Sequence, residues 1–459
     1  MSSLRGKRIH FIGIGGSGMS GLARIAIADG IEVSGSDSKD SSVLGALEAL
    51  GARIFRDHQG SHCEGVDIVI YSTAISPSNP EFIRARELAI PMMRRAKALA
   101  SLMEENISIA VAGTHGKTTT TSMATVAFQS CGVDPSFAIG GTITASGANA
   151  HRGSGDFFIA EADESDGSFT EYHPRAAIVT NVEHDHVDFF QSEAEVTQAF
   201  KSFVATIAPD GFLIYCNDDP GSRVLGIATT HCTSISYGAD ESSDLHIDQI
   251  ELTPGGSRAR ALWRGRVVGI IELHVPGQHN LLNAAATLAL GLAFNLPATE
   301  LLSGLATFRG AGRRFELKAT VHGIRVVDDY GHHPTEIEVT LDAARRYVDT
   351  GRIIVIFQPH RYSRTKAFLE KFASTLDKAD DVTLLEIYAA SEQPIAGMSS
   401  SLIADLMKHG KFIPNFIDAT DHVIELAKPG DLILTLGAGD VNSLAPIIAE
   451  GLRKRFESQ

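Results

Sequence analysis

The segment 107–119, Ile-Ser-Ile-Ala-Val-Ala-Gly-Thr-His-Gly-Lys-Thr-Thr, constrains this chain more than any other. Its apolar run reads as a short buried strand, and Gly113 and Gly116 as a turn that lets backbone amides close on an anion. Lys117, Thr118 and Thr119 then open a helix. A strand feeding a helix through such a turn belongs to a parallel sheet, because the helix carries the chain back along the sheet before the next strand begins. The same residues suggest chemistry: Lys117 reaches the outer phosphates of a nucleoside triphosphate, and Thr118 ligates magnesium. The common spacing G-x-x-x-x-G-K-[ST] is not met, since position 111 is Val and the glycine falls at 113. The competing reading is a glycine turn with an exposed lysine.

Strand and helix alternate in this way in three blocks, and 459 residues suit about three domains of ordinary size. In the first, 8–14 reads as a strand, 13–18 as a tight turn, 19–29 as a helix closed by Gly30, and 31–36 and 67–72 as further strands. This is the opening of a doubly wound sheet. The second block adds strands at 157–160, 177–180 and 212–215, a helix from Lys117 to Gly132, and a small mixed or antiparallel patch at 240–275. The third carries three continuous apolar strands, 353–357, 382–385 and 432–436. The expected division is 1–96, 97–312 and 313–459, with hinges near Ala96 and Gly312. All three are α/β: Rossmann-like, phosphate-loop with a small added sheet, and Rossmann-like again.

A formal net charge of −15 disfavours a nucleic acid or an anionic membrane as partner, so an anionic ligand must be held by local basic residues. Cys63, Cys131, Cys216 and Cys232 form no C-x-x-C pair, which argues against a disulfide framework or a zinc site and for reduced thiols in a cytoplasm. No export signal precedes the first strand, and no apolar run reaches the roughly 18 residues of a membrane span.

Several other groupings can carry chemistry. Gly13-Ile-Gly15-Gly16-Ser-Gly18 satisfies G-x-G-x-x-G between strand and helix, and Asp37 follows 19 residues past the last glycine. Alone, this looks like a dinucleotide site, although the same turn accepts any diphosphate. Glu161 closes a strand and leads the acidic run through Asp163, Glu164 and Asp166, where a carboxylate can hold magnesium. The segment 181–188, with His184, His186 and three acids, suits a second divalent ion. Asn280, in His279-Asn-Leu-Leu-Asn283, can read an adenine edge or simply cap the helix at 284–294. Arg313 and Arg314 follow a hinge and can close over a transferring phosphoryl group. Arg361 and Arg364, at i and i+3, should share a helix face suited to a carboxylate. Gly437-Ala-Gly439-Asp440 has no assignment from physics alone.

Together these motifs, with Asp328-Asp-Tyr-Gly-His-His-Pro334, resemble in order, across nearly the whole chain, those of the Mur ligase family. The resemblance implies that Gly13, Gly15, Gly16, Gly18, Met19, Asp37, Ser72 and Thr73 hold the UDP part of a sugar nucleotide. It assigns ATP to Gly113, Thr114, His115, Gly116, Lys117, Thr118, Thr119, Asn280, Asn283 and Arg314. Two magnesium ions, replaceable by manganese, fall to Thr118 with Glu161 and to His186. Tyr330, His332, Arg361 and Arg364 surround an amino acid, and Lys117, Arg314, His332 and His360 are the catalytic candidates. His184 receives no role. The implied reaction makes an acylphosphate of the lactyl carboxylate of UDP-N-acetylmuramate, which L-alanine then attacks, in a cytoplasmic monomer or homodimer. A ligase adding a peptide or another amino acid is the nearest alternative. A nicotinamide dehydrogenase leaves Lys117, Glu161 and His186 without work, and a regulatory ATPase needs neither cosubstrate.

Overall fold

A computed structural model describes residues 4–348, 350–390 and 392–457. In it the apolar runs become the strands of three sheets. The first is wholly parallel, in the spatial order Arg53–Phe55, Glu32–Ser36, Arg8–Ile12, Ile68–Tyr71, Met92–Arg94. The winding direction reverses between Arg8–Ile12 and Ile68–Tyr71. Gly13 and Ser72 therefore sit at the carboxyl ends flanking a topological switch point, where ligands of open parallel sheets collect.

The central sheet has ten strands. Its parallel heart runs Phe212–Cys216, Ala176–Val179, Ile107–Ala112, Phe157–Glu161, and the phosphate loop leaves Ile107–Ala112 beside another reversal. The expected patch at 240–275 forms the antiparallel strands Leu245–Thr253, Gly256–Trp263 and Arg266–Leu273. These join the edge of the same sheet through a parallel pairing with Thr233–Gly238. The helix Lys117–Ser130 lies on this sheet, burying Met123, Ala124, Ala127 and Phe128 against Ile109, Val111 and Ile159. Met123 and Phe128 each stabilise the packing by roughly 1.5–3 kcal/mol, which fixes the helix start that carries Lys117.

The third sheet orders Glu316–Val321, Ile324–Asp329, Leu432–Leu436, Ile353–Phe357, Asp381–Leu384, Gly410–Phe412, with only the first strand antiparallel. Leu432–Leu436 and Ile353–Phe357 are buried at every position, which is why their sequences are continuously apolar rather than alternating. One apolar core runs unbroken from the first sheet into the central one, joining Phe11, Leu22 and Leu99 to Phe158, Phe169 and Tyr172. The helix Arg95–Met103 lies in that core, so Ala96 is a buried helical residue and a poor hinge. The other crossing, by contrast, contains Gly310 (φ 105°), Arg313 (φ 59°) and Phe315 (φ 48°) in the left-handed region. Among the described residues, no helix is long and apolar enough to cross a membrane.

Candidate active site

The phosphate loop is shaped by what surrounds it. At Gly113, with φ 134°, a Cβ would fall 1.9 Å from Thr180 Oγ1, so only glycine fits. Thr180 Oγ1 donates to His115 O at 2.6 Å, Asn181 Nδ2 donates to the same carbonyl at 3.2 Å, and His115 N donates to Asn181 Oδ1 at 2.8 Å. The residues after strand Ala176–Val179 thus clamp the loop at its midpoint.

Lys117 Nζ donates to Gly113 O (2.7 Å), Thr114 O (3.0 Å) and Glu164 Oε1 (2.9 Å). Burial works against its charge, yet Glu164, Asp163 and Glu161 raise its pKa above the ordinary lysine value. Thr118 Oγ1 is 3.0 Å from both Glu161 oxygens, and Glu161 Oε2 accepts from Gly140 N at 2.8 Å. His186, left-handed at φ 53°, places Nε2 3.2 Å from Glu164 Oε1. Asp163, Glu164 and His186 each offer a ligand atom, all within 4.8 Å of one another. Burial pushes the Asp163 pKa up, but Lys117 and His186 bring it below the usual carboxylate range. Oxygen-rich donors with one imidazole, next to a lysine positioned for phosphates, fit magnesium.

All three domains line one cleft of about 710 Å³. The first contributes Gly13, Gly16, Gly18, Met19, Ser72 and Thr73; the second Thr114, Lys117, Thr118, Glu161 and His186; the third Arg314, Tyr330, His332, His360, Arg361 and Arg364. A smaller cavity of about 180 Å³ adjoins it at His115, Gly116, Thr119, Asn280, Asn283 and Arg314. Asp37 stands behind the wall instead: its Oδ2 accepts from Gly15 N at 3.0 Å, tying the first glycine turn to the second strand. Asn280 is not a helix cap. The helix starts earlier, at Gln278, with Gly277 at the cap position, and Asn280 Nδ2 donates to Pro276 O at 2.7 Å.

In the third domain the Arg313 and Arg314 guanidinium groups both lie over the Tyr330 ring, 4.9 and 5.0 Å from its centroid. His332 Nδ1 donates to Tyr330 O at 3.1 Å, which leaves Nε2 as an acceptor. Burial holds His332 well below its ordinary pKa, and burial with Arg364 and Arg361 pushes His360 down to about 3, so both rings are uncharged near neutral pH. Arg361 and Arg364 do not share a helix face. The helix is Tyr362–Ala367, and Arg361 precedes it with a left-handed φ of 73°. Each instead pairs across the domain boundary: Arg361 with Asp188, and Arg364 Nη2 with Asp185 Oδ1 at 2.8 Å. Gly437 supports the arrangement by accepting from Arg313 Nη2 at 2.6 Å. His184 Nε2 lies 3.2 Å from Phe190 O, outside the cleft lining.

Several residues of this site escape sequence reasoning. Glu164 partners Lys117 but is one acid in a run of four; Asn181 clamps the loop from 66 residues away. Glu336, half-buried at the start of helix Pro334–Val348, lies 3.6 Å from Arg314 and 3.3 Å from His115. Only the side chain's position in the fold identifies each of these.

Three family descriptions match the chain: "Mur ligase family, catalytic domain" at residues 8–106, "Mur ligase middle domain" at 111–291, and "Mur ligase, glutamate ligase domain" at 313–439. A UDP-N-acetylmuramate–L-alanine ligase of Acidothermus cellulolyticus is 46% identical over 98% of this chain and 96% of its own. The enzyme of that name from Mycobacterium ulcerans is 45% identical, with the same coverage. The crystal structure of the UDP-N-acetylmuramate-alanine ligase MurC from Thermotoga maritima has a TM-score of 0.81 at 28% identity, covering 98% of this chain and 99% of the other.

Proposed function

The chain belongs to the Mur ligase family, and from that premise we propose that it joins L-alanine to the lactyl carboxylate of UDP-N-acetylmuramate. It is an ATP-dependent carboxylate–amine ligase of peptidoglycan precursor synthesis, working in the cytoplasm as a monomer or homodimer. The observation that carries this reading is the single cleft into which one domain brings a diphosphate-type glycine turn, another the Lys117 loop, and a third Arg314, Arg361 and Arg364 with two neutral histidines.

The geometry supports a division of labour. Gly13, Gly15, Gly16, Gly18 and Met19, with Ser72 and Thr73, hold the UDP-sugar at the switch point of the first sheet, and Asp37 fixes that turn. ATP lies along the loop Gly113–Thr119 with its base toward Asn280 and Asn283. Lys117 exchanges its contact with Glu164 for the outer phosphates, and Arg314 approaches the γ-phosphate from the third domain. Thr118 with Glu161, and His186 with Glu164, would hold magnesium, which screens the anionic carboxylate from the anionic triphosphate.

The γ-phosphoryl group passes to a lactyl carboxylate oxygen, leaving ADP. The alanine amine then attacks the acyl carbon, phosphate departs, and a neutral His332 or His360 takes the amine proton. Tyr330, Arg361 and Arg364 position the amino acid. Walls from three domains exclude the water that would hydrolyse the acylphosphate.

Phosphate release with each substrate omitted in turn tests the reading. Release should require UDP-N-acetylmuramate and L-alanine together; equal release with ATP alone would indicate a regulatory ATPase, and release with a tripeptide but not L-alanine the peptide-adding alternative.

A further inference from the structure

A second group of metal-ligand side chains lies where the third domain meets the central one, apart from Asp163, Glu164 and His186. His115, Glu183 and His333 each offer a ligand atom, all within 4.8 Å of one another. His115 and Glu183 follow neighbouring strands of the central sheet, whereas His333 immediately precedes the third-domain helix Pro334–Val348. Glu183 already reaches across by accepting from Thr335 Oγ1 at 2.9 Å.

Two details set this group apart from an ordinary charge cluster. The Nε2 atom of His333, a residue only 4% exposed, is buried without a hydrogen-bond partner, and that of His115 is buried with no aligned hydrogen bond, only an ion-pair contact with Glu183. Such orphaned nitrogens are costly and rare in folded proteins. His115 also turns its Nδ1 to Glu336 Oε1 at 3.3 Å, the carboxylate backing that orients a metal-binding imidazole. Its Nε2 stands 3.4 Å from Glu183 Oε2. That separation is the edge of a tetrahedron whose bonds are about 2.1 Å long.

We propose that His115, Glu183 and His333 form a site for a borderline transition-metal ion of the zinc class, clasping the third domain to the central one. Two imidazoles and one carboxylate favour such an ion over magnesium and leave a fourth position for water. On binding, the ion takes the place of the His115 Nε2 proton, which is released. His333 moves its ring proton to Nδ1 and gives up the long 3.4 Å hydrogen bond from Thr335 N. The site borders the smaller cavity, so the clasp sits at the rim of the proposed adenine pocket.

Zn²⁺ titration of the full chain against a chromophoric chelator tests this, with His186→Asn as the parent to remove the other cluster. The parent should take up one Zn²⁺ per chain, and adding His333→Asn should weaken uptake by about 100-fold or more. Glu183→Gln should weaken it at least about 10-fold, and this half-exposed position keeps the test alive if the buried His333→Asn does not fold. Co²⁺ bound to the parent should show the intense visible absorption of a tetrahedral site. Absence of Zn²⁺ uptake by the parent, or uptake unaltered by both second substitutions, overturns the proposal.

Discussion

Lys117 shows how a single charge is kept ready. Its ammonium is buried, and three carboxylates repay the desolvation by raising its pKa. Glu164 holds it at 2.9 Å, the contact proposed to give way to an outer phosphate. Lys117→Ala should lower turnover by about 10³-fold or more, since a positioned cation is among the largest contributions to phosphoryl transfer. Steady-state phosphate release measures this, and a loss below about tenfold would remove Lys117 from the mechanism. A different buried charge serves the fold. Burial opposes the Glu81 carboxylate, but hydrogen bonds with His10, Ser36 and His58 hold it down to about 2. A depressed carboxyl pKa stabilises the folded state above the ordinary value of 4.5, and that contribution is lost as pH falls toward 2. It amounts to roughly 3 kcal/mol. Glu81→Gln should flatten the acid limb of urea midpoints between those limits; parallel acid limbs for the two proteins would refute this.

At the scale of elements, the glycine loop depends on its neighbours as much as on its own residues. A methyl at Gly113 would collide with Thr180 Oγ1, and its φ of 134° is strained for any side chain. Gly113→Ala should weaken ATP binding by about 100-fold, roughly 3 kcal/mol, by displacing the loop from Thr180 and Asn181. Calorimetric titration checks this, and unchanged affinity would mean the loop reshapes freely. This dependence also marks the limit of reading the chain as a string. Strands such as 353–357 are legible because burial on both faces demands an unbroken apolar run, and the loop is legible because glycine, lysine and threonine have few other uses in that order. Sequence spacing admits Asn280 as a cap, but the helix begins six residues before residue 284, at the polar residues Gln278 and His279. The i, i+3 spacing of Arg361 and Arg364 suggests one helix face, but spacing cannot reveal that Arg361 turns left-handed just before the helix. Glu164 and Asn181 carry no local signal as specific partners, since their contacts reach 47 and 66 residues along the chain.

Across the whole molecule, the boundaries are unequal. The first and central domains share a continuous apolar core and are pinned by Arg152 Nε to Asp29 at 2.7 Å and Asn149 Nδ2 to Ser17 O at 2.9 Å. They should move as one body. The third domain meets them through polar contacts instead: Asp185 with Arg364, Asp188 with Arg361, and Glu183 with Thr335. Its connection passes through the left-handed residues Arg313 and Phe315, so motion belongs there rather than at Ala96. The decisive contact is the buried pair, whose side chains are each 3% exposed. Removing one partner of such a pair costs about 3 kcal/mol in the state that buries it, enough to shift closed against open by about 100-fold. Arg364→Ala should therefore enlarge the radius of gyration of the ligand-free protein, and an ATP analogue with UDP-N-acetylmuramate should compact it more than they compact the parent. Small-angle scattering distinguishes the outcomes. Superimposable ligand-free profiles for the two proteins would show that Asp185 and Arg364 do not hold the domains together, and the latch would then have to be sought at Asp188 or Glu183.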